Sequence, residues 1–274
     1  MDHSSAYTLN EKKSAEAFSK QSLVFDQLYA TNKIIEYKRE RVRKHVSQYI
    51  SQGNILELNA GTGEDATYFG KQGFHVHATD VSAGMQQKLI EKTANNNLSH
   101  LVTTEIISFT NLAQLVDKGP YDLIFSNFAG LNCTGELDKV LDSFAPLLKQ
   151  NGIVTLVVMP RFCLWETLLL FKGRFKNAFR RFNSSKGVTA NVEGVNFLCW
   201  YYSPLYIEKA MEQNFELLSV EGLCSIVPPS YFESFPIKFP WLYKQLVKME
   251  NKFKRTWFCR NTGDYFIVSL KKKS

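Results

Sequence analysis

No stretch of the 274-residue chain approaches the run of about 20 apolar residues that a membrane-crossing helix needs. The first residues, Met1-Asp2-His3-Ser4-Ser5, are polar and do not form an apolar signal segment. Cysteines are few, odd in number and scattered (Cys133, Cys163, Cys199, Cys224, Cys259), with no Cys-x-x-Cys pair. That pattern excludes the usual zinc spacing and a secreted disulfide scaffold. No bound metal is expected, and a reducing cytoplasm is the expected compartment. Internal repeats and low-complexity segments are absent too.

What is present suffices for a globular enzyme. The chain is 45% hydrophobic and 14% aromatic, with a formal net charge of +7. Basic residues gather in residues 33–44, 172–186 and 244–254 and in the tail 271–273. Such a balance permits an anionic partner without requiring one.

The most informative stretch is residues 55–63, Ile-Leu-Glu-Leu-Asn-Ala-Gly-Thr-Gly, with Asp80 closing the next apolar run. A short strand turns at Gly61 and Gly63 into a helix over 64–71, and a second strand from His75 ends in an acid. This is one βαβ unit of the nucleotide-binding kind. Dinucleotide sites set a pyrophosphate on the helix N-terminus, but Glu64 and Asp65 stand there and are expected to repel it. A cationic, phosphate-free ligand tolerates them.

The stretch resembles motif I of the class I, Rossmann-like S-adenosylmethionine-dependent methyltransferases, of the small-molecule type. There an acid, here Glu57, precedes a glycine-rich loop. Asn59 stands where that family usually has glycine, and Asn accepts left-handed backbone better than most residues. The resemblance implies S-adenosyl-L-methionine as cofactor and S-adenosyl-L-homocysteine as product.

The remaining pattern predicts strands near 101–107, 121–126, 153–159, 215–224 and 264–270, and helices over 15–28, 34–50, 83–95, 135–149 and 204–214. Strands alternating with helices imply an α/β doubly wound sheet. Seven mostly parallel strands are expected, with N-terminal helices and a helical, aromatic lid. A single methyltransferase domain is expected over 1–274. It divides into an N-terminal helical cap (1–50), a cofactor-binding core (51–159), a lid insertion (160–202), the rest of the sheet (203–224 and 263–271) and a second insertion (225–262). In the lid, Leu164, Leu168, Phe171, Phe175, Phe179 and Phe182 recur at near-helical spacing among basic residues, which predicts an amphipathic helix.

Ligands of open α/β sheets sit beyond the carboxyl ends of the strands. By resemblance, the cofactor-binding residues are Glu57, Asn59, Ala60, Gly61 and Gly63 after the first strand. Asp80, as acceptor for both ribose hydroxyls, follows with Val81 and Met85 against the adenine. Ser108 and Phe109 come from the third strand end, and Asn127 and Phe128 from the fourth. Substrate-binding candidates are Tyr29, Asn132, Arg161, Trp165, Trp200 and Tyr201. No catalytic base is identified: His75 and His77 alternate on one strand face and read as packing, and Cys133 has no histidine partner and is not needed for methyl transfer.

The reading that fits best is a methyltransferase acting on an oxygen or nitrogen atom of a small, aromatic or apolar molecule by in-line displacement. An RNA methyltransferase, or a degenerate methyltransferase fold acting as a binding module, remains as an alternative. Partners are expected to be a small molecule, with no nucleic acid favoured, no transmembrane segment and peripheral membrane contact left open. The chain is expected as a monomer or homodimer.

Overall fold

Adjacent strand residues such as Ile55 and Leu56, or Leu123 and Ile124, are both fully buried, which requires a layer on each face of the sheet they form. In the computed structural model, which describes residues 3–168, 181 and 186–274, seven strands build that sheet. They are β1 (Asn54–Leu58), β2 (His75–Asp80), β3 (Val102–Ile106), β4 (Tyr121–Ser126), β5 (Leu148–Val158), β8 (Phe215–Leu223) and β9 (Tyr265–Lys272), in the order β3-β2-β1-β4-β5-β9-β8. The contacts from β3 to β5 are parallel, and β9 runs antiparallel to both neighbours. The chain reverses its direction of travel across the sheet between β1 and β4, so their carboxyl ends frame a crevice.

Helices fill both faces. On one lie α3 (Lys33–Val46), α4 (Glu64–Lys71) and α5 (Ala83–Asn95), whose Ile34, Val42, Ala66, Phe69 and Leu89 pack on Ile55, Leu123 and Phe125. The other holds α6 (Leu137–Asp142), α7 (Phe144–Leu147) and α9 (Pro204–Met211), which cover Leu56, Ile124 and Val154. Start signals act as expected: Asn32 accepts from the Ile34 and Ile35 amides, Ser82 from Met85, and Ser203 from Tyr206 ahead of Pro204. Two further helices, α1 (His3–Gln21) and α2 (Phe25–Tyr29), reach across the sheet edge.

Three expectations change. The helix predicted over 135–149 is split into α6 and α7, because Pro146 has no amide to donate back to the preceding turn. The lid contains α8 (Leu164–Leu168) and a hairpin, β6 (Val188–Val192) and β7 (Val195–Cys199). Its turn, Glu193-Gly194, has φ of 49° and 77°, the mirror-image geometry that matches strand twist. The amphipathic helix expected around Phe171, Phe175, Phe179 and Phe182 lies outside the described residues. The second insertion, where no helix is predicted from the sequence, forms α10 (Phe235–Lys238), α11 (Pro240–Phe253) and α12 (Trp257–Thr262). Pro236 and Pro240 read as breakers in the sequence, but both sit in first turns, where no amide is missed.

Charge pairs buried in the interior tie the insertions to the core. Glu250 of α11 accepts the amides of Cys224, Ile226 and Val227 and the Tyr37 hydroxyl. Lys38 of α3 donates to Asp264 at 2.8 Å, and Arg181 donates to Asp264 at 2.9 Å and to Glu166 of α8 at 2.7 Å. Among the described residues, no helix is long and apolar enough to cross a membrane.

Burial alone would raise the Asp264 carboxyl, but Lys38 and Arg181 hold it below the ordinary carboxylate range. Stability from this depressed carboxylate is fully present above its unfolded pKa of about 3.9. It is lost as pH falls through the lower folded value. Removing Lys38 leaves a buried acid with half its compensation. Lys38→Met is expected to cost about 3 kcal/mol in urea unfolding and to move acid unfolding to higher pH, read by circular dichroism.

Candidate functional site

At the carboxyl ends of β1, β2 and β4 the backbone must turn away from the sheet at once, and much of it does so in the left-handed region. After β1, Asn59, Gly61 and Gly63 have φ of 47°, 57° and 78°. A side chain on Gly61 would meet nothing within 4 Å, whereas a Cβ on Gly63 would come 2.5 Å from Leu89. Gly63 therefore serves helix packing, and Gly61 leaves open space on the ligand side. Asn59 does more than tolerate its conformation. It accepts from Ser126 Oγ (2.6 Å) and donates to the Asn127 carbonyl (2.8 Å), locking the β1 loop to the β4 loop. Its side chain also takes the space beside Gly130, where any Cβ would collide with it.

Asp80 sits at the tip of β2. Its Oδ2 accepts the Gly61 amide (2.9 Å) and its Oδ1 the Ser82 amide (2.8 Å). Burial raises this carboxyl above its ordinary range, against the amides of Ser82, Gly61 and Val81 that favour the ionised form. Each oxygen keeps acceptor capacity for another donor.

The β4 loop is strained. Phe128 and Ala129 carry φ of 51° and 61°, each a cost of roughly 1–2 kcal/mol outside glycine. Asn127 supports them: its Oδ1 accepts the Phe128 amide and its Nδ2 donates to Asp65 (2.8 Å). Strain held this firmly points to a function for the loop.

These ends enclose a cavity of about 300 Å³. Asn59, Gly61, Asp80, Val81, Met85, Phe109, Asn127 and Phe128 line it, as does Tyr29 of α2. The other sequence candidates stand elsewhere. Glu57 is buried beneath the loop with one oxygen unpartnered. Burial, then the neighbouring Asp65, push its carboxyl well above the ordinary range despite Arg43 and Arg39. Ala60 and Gly63 are not among the cavity's lining residues. Ser108 caps the turn after β3, accepting the Thr110 amide. The Asn132 amide group is occupied by the Met159 and Trp200 backbone. Arg161 donates to the Tyr201 carbonyl, Trp165 packs on Phe232, and Trp200 packs on Tyr7.

Several lining residues were not among the sequence candidates. Ser14, Phe18 and Gln21 come from one face of α1, Ile35 and Arg39 from α3, and Val192 from β6, with Ser230 and Tyr265; Phe25 of α2, which the sequence places with Tyr29 over the site, lines it as well. The recurrence of 14, 18, 21 and 25 at helical spacing was the available signal. Arg39 is the one cation among the described lining residues, its guanidinium 4.8 Å from the centre of the Phe128 ring and 3.7 Å from Asp65. The acids at the start of α4 are matched: Asp65 pairs with Arg43 at 2.7 Å and Glu64 with Lys92. The repulsion that the sequence suggests there is therefore largely offset. Cys133 also lines the cavity, but a hydrogen bond with the free thiol of Cys199 and burial push its own thiol well above the ordinary range.

The N-terminal helices are fastened over this cavity. Asp26 of α2 accepts from Thr62 at 2.6 Å and pairs with Lys92 at 2.7 Å. Ser19 of α1 meets Ser82 at 2.8 Å, and Asn10 bridges the backbones of Cys133 and Leu198.

Residues 55–152 match the family model described as a methyltransferase domain. No curated protein matches the sequence significantly. Among solved structures, a candidate S-adenosylmethionine-dependent methyltransferase of Listeria monocytogenes superposes with a TM-score of 0.61 at 16% identity, covering 89% of this chain and 99% of that one. The 1,6-didemethyltoxoflavin-N1-methyltransferase of Burkholderia thailandensis, bound to its substrate and S-adenosylhomocysteine, gives 0.60 at 12% identity over 98% and 91%. The geranyl diphosphate C-methyltransferase of Streptomyces coelicolor A3(2) gives 0.57 at 11% over 89% and 84%.

The two glycines of the loop should separate by stability. Gly63→Ala forces overpacking against Leu89 as well as backbone strain and is expected to cost about 3 kcal/mol. Gly61→Ala carries the strain alone, about 1 kcal/mol. Thermal melts of the two variants check this.

Proposed function

We propose that this chain, whose residues 55–152 match the model of a methyltransferase domain, is a class I, S-adenosylmethionine-dependent methyltransferase that moves a methyl group to an oxygen or nitrogen atom of a small, largely apolar or aromatic molecule by in-line displacement. S-adenosylmethionine is the cofactor. The observation that carries the substrate reading is the cavity's mixed lining. One acid, Asp80, and the loop residues Asn59, Gly61 and Asn127 share the lining with a mostly apolar set, Phe18, Phe25, Tyr29, Val192 and Phe128.

The residues suit the cofactor. Asp80 is free to accept two hydroxyls, Gly61 leaves room for a ligand against the backbone, and Arg39 offers the cavity a cation for the methionine carboxylate. Val81 and Met85 supply an apolar surface for a base. The sulfonium of the cofactor brings an activated methyl and its own leaving group. The chain's residues then have to align and to desolvate. Phe128, pinned by Asn127, fixes one wall of the approach, and α1 and α2 exclude water. Among the described residues no histidine lines the cavity, so the reading favours an acceptor that ionises with little help, such as a phenol, carboxylic acid or heteroaromatic N–H.

We infer further that the chain works as one unit. Residues 1–50, 160–202 and 225–262 serve as caps, since their apolar residues share clusters with the sheet.

Calorimetry with S-adenosylmethionine and S-adenosylhomocysteine is the first test. Asp80→Ala removes two charge-assisted bonds and is expected to weaken both ligands about 100-fold. Arg39→Met is expected to cost about tenfold. Wild-type affinity should rise as pH increases through the raised Asp80 value, because the hydroxyls donate to the ionised form. A second test follows S-adenosylhomocysteine release over a panel of phenols, carboxylic acids and N-heterocycles. Cofactor binding without turnover on any class would count against the small-molecule reading. Phe18→Ala and Tyr29→Ala are each expected to raise the acceptor KM about tenfold.

A further inference from the structure

Soluble surfaces rarely leave several large apolar side chains exposed side by side, yet the second insertion does so. On α10 to α12 and their joints, Ile237 and Phe239 are 69% and 54% exposed, and Trp241 and Trp257 are each 71% exposed. Helix α11 shows how this arises. Tyr243, Leu246, Val247 and Glu250 turn inward, towards α3 and the segment after β8. At 3.6 residues per turn, Leu242, Met249 and Phe253 then fall on one outer stripe, beside a crest made by Trp241, Lys248 and Lys252. All of these outer residues are exposed.

The charge on this face has one sign. Residues 235–262 contain Lys238, Lys244, Lys248, Lys252, Lys254, Arg255 and Arg260 against a single acid, Glu250. Glu250 is fully buried and spends its oxygens on backbone amides. Lys254 and Arg255 pair with Glu221. Lys238, Lys244, Lys248, Lys252 and Arg260 have no acidic partner among the described residues. Glu233, just ahead of α10, is the exposed acid at the edge.

We propose that the outer face of α10–α12 docks on an anionic lipid surface. Two exposed tryptophans, with Phe239 and Phe253 beside them, suit the headgroup layer, where amphipathic rings settle. Leu242, Met249 and Ile237 gain by entering the acyl boundary, and the unpaired lysines meet the negative leaflet. Each contributes about fivefold to binding. A nucleic acid would use rings as stacking platforms, but the branched side chains Ile237 and Leu242 stack on nothing. An isologous dimer through this face would set its positive charge against itself. The face adjoins the cavity: Ser230, five residues ahead of Phe235, lines it and accepts from Asn32. Tyr243 of α11 also donates to the Lys33 carbonyl at the start of α3. Docking here requires no catalysis and stands apart from the methyl-transfer reading.

Vesicle flotation tests it with the full chain. Vesicles of phosphatidylcholine alone are compared with vesicles containing about one third phosphatidylglycerol. The wild type is expected to float with the anionic vesicles only, less so as salt rises. The pairs Trp241→Glu with Trp257→Glu, and Lys244→Glu with Lys248→Glu, are each expected to weaken binding at least about tenfold. Both leave the melting temperature and cofactor affinity unchanged, since the replaced side chains are exposed. The proposal is overturned if the wild type fails to float with anionic vesicles, or if both variants float as well as it does. It is also overturned if the variants instead lose a concentration-dependent dimer or salt-sensitive binding to a uridine oligonucleotide while no vesicle is bound.

Discussion

Asp80 is the fixed point of this molecule's functional end. A parallel sheet delivers all its strand ends to one edge, where amides lose their ladder partners and must find others. One buried carboxylate answers for two loops at once, taking the amide of Gly61 from the turn after β1 and the amide of Ser82 at the start of α5. Those bonds hold the glycine loop against β2. They also set Ser82 where it caps α5 and meets Ser19 of α1. The acid proposed to receive a ligand's hydroxyls thus already organises the walls of the cavity. Its affinity for protons is a compromise between burial and those amides.

Helix α3 connects that edge to everything added around it. Its apolar stripe, Ile34, Val42 and Val46, packs on the sheet. Tyr37, Lys38, Arg41 and His45 are buried too, and they reach the acids Glu221, Glu250 and Asp264. Arg39 and Arg43 point to Asp65 and the cavity. A helix face of 3.6 residues per turn lets one element serve three directions. Buried pairs of this kind add little net stability compared with apolar packing, yet breaking one side of a pair is costly. Their effect is to make the position of the caps non-negotiable relative to the site.

The sheet and the glycine loop were legible because their signals are local. Apolar runs, Gly61, Gly63, Ser82 and Ser203 each act within a few residues, and the strands, α4 and α5 fall where their pattern places them. The loop's partners were less legible, since the roles of Asn59 and Asn132 are fixed by residues about 70 and 30 to 70 positions away. The aromatic lid was ambiguous for a different reason. Trp165, Trp200 and Tyr201 look like substrate contacts in a list of residues, but large rings are also what packs an insertion onto a core. The hairpin β6–β7 turns at Glu193-Gly194, a pair without the Asn or Asp that usually announces such a turn. The helices of 235–262 were hidden by prolines that begin helices as readily as they break them.

The cavity wall divides in a way that bears on specificity. Gly61, Asp80, Val81, Met85, Phe109, Asn127 and Phe128 lie inside the segment that matches the methyltransferase family, residues 55–152. Phe18, Gln21, Phe25, Tyr29, Val192, Ser230 and Tyr265 all lie outside it. The first group presents an acid, strained loops and apolar contacts, which suit a ligand that is the same in every turnover. The second comes from segments joined to the core by side-chain bonds such as those of Asn10, Asp26 and Asn32, so it can change without disturbing the sheet. In the proposed function, recognition of the acceptor therefore falls to these outer segments. A change of acceptor would be carried by α1, α2 and β6, while Asp80 and its two loops stay as they are.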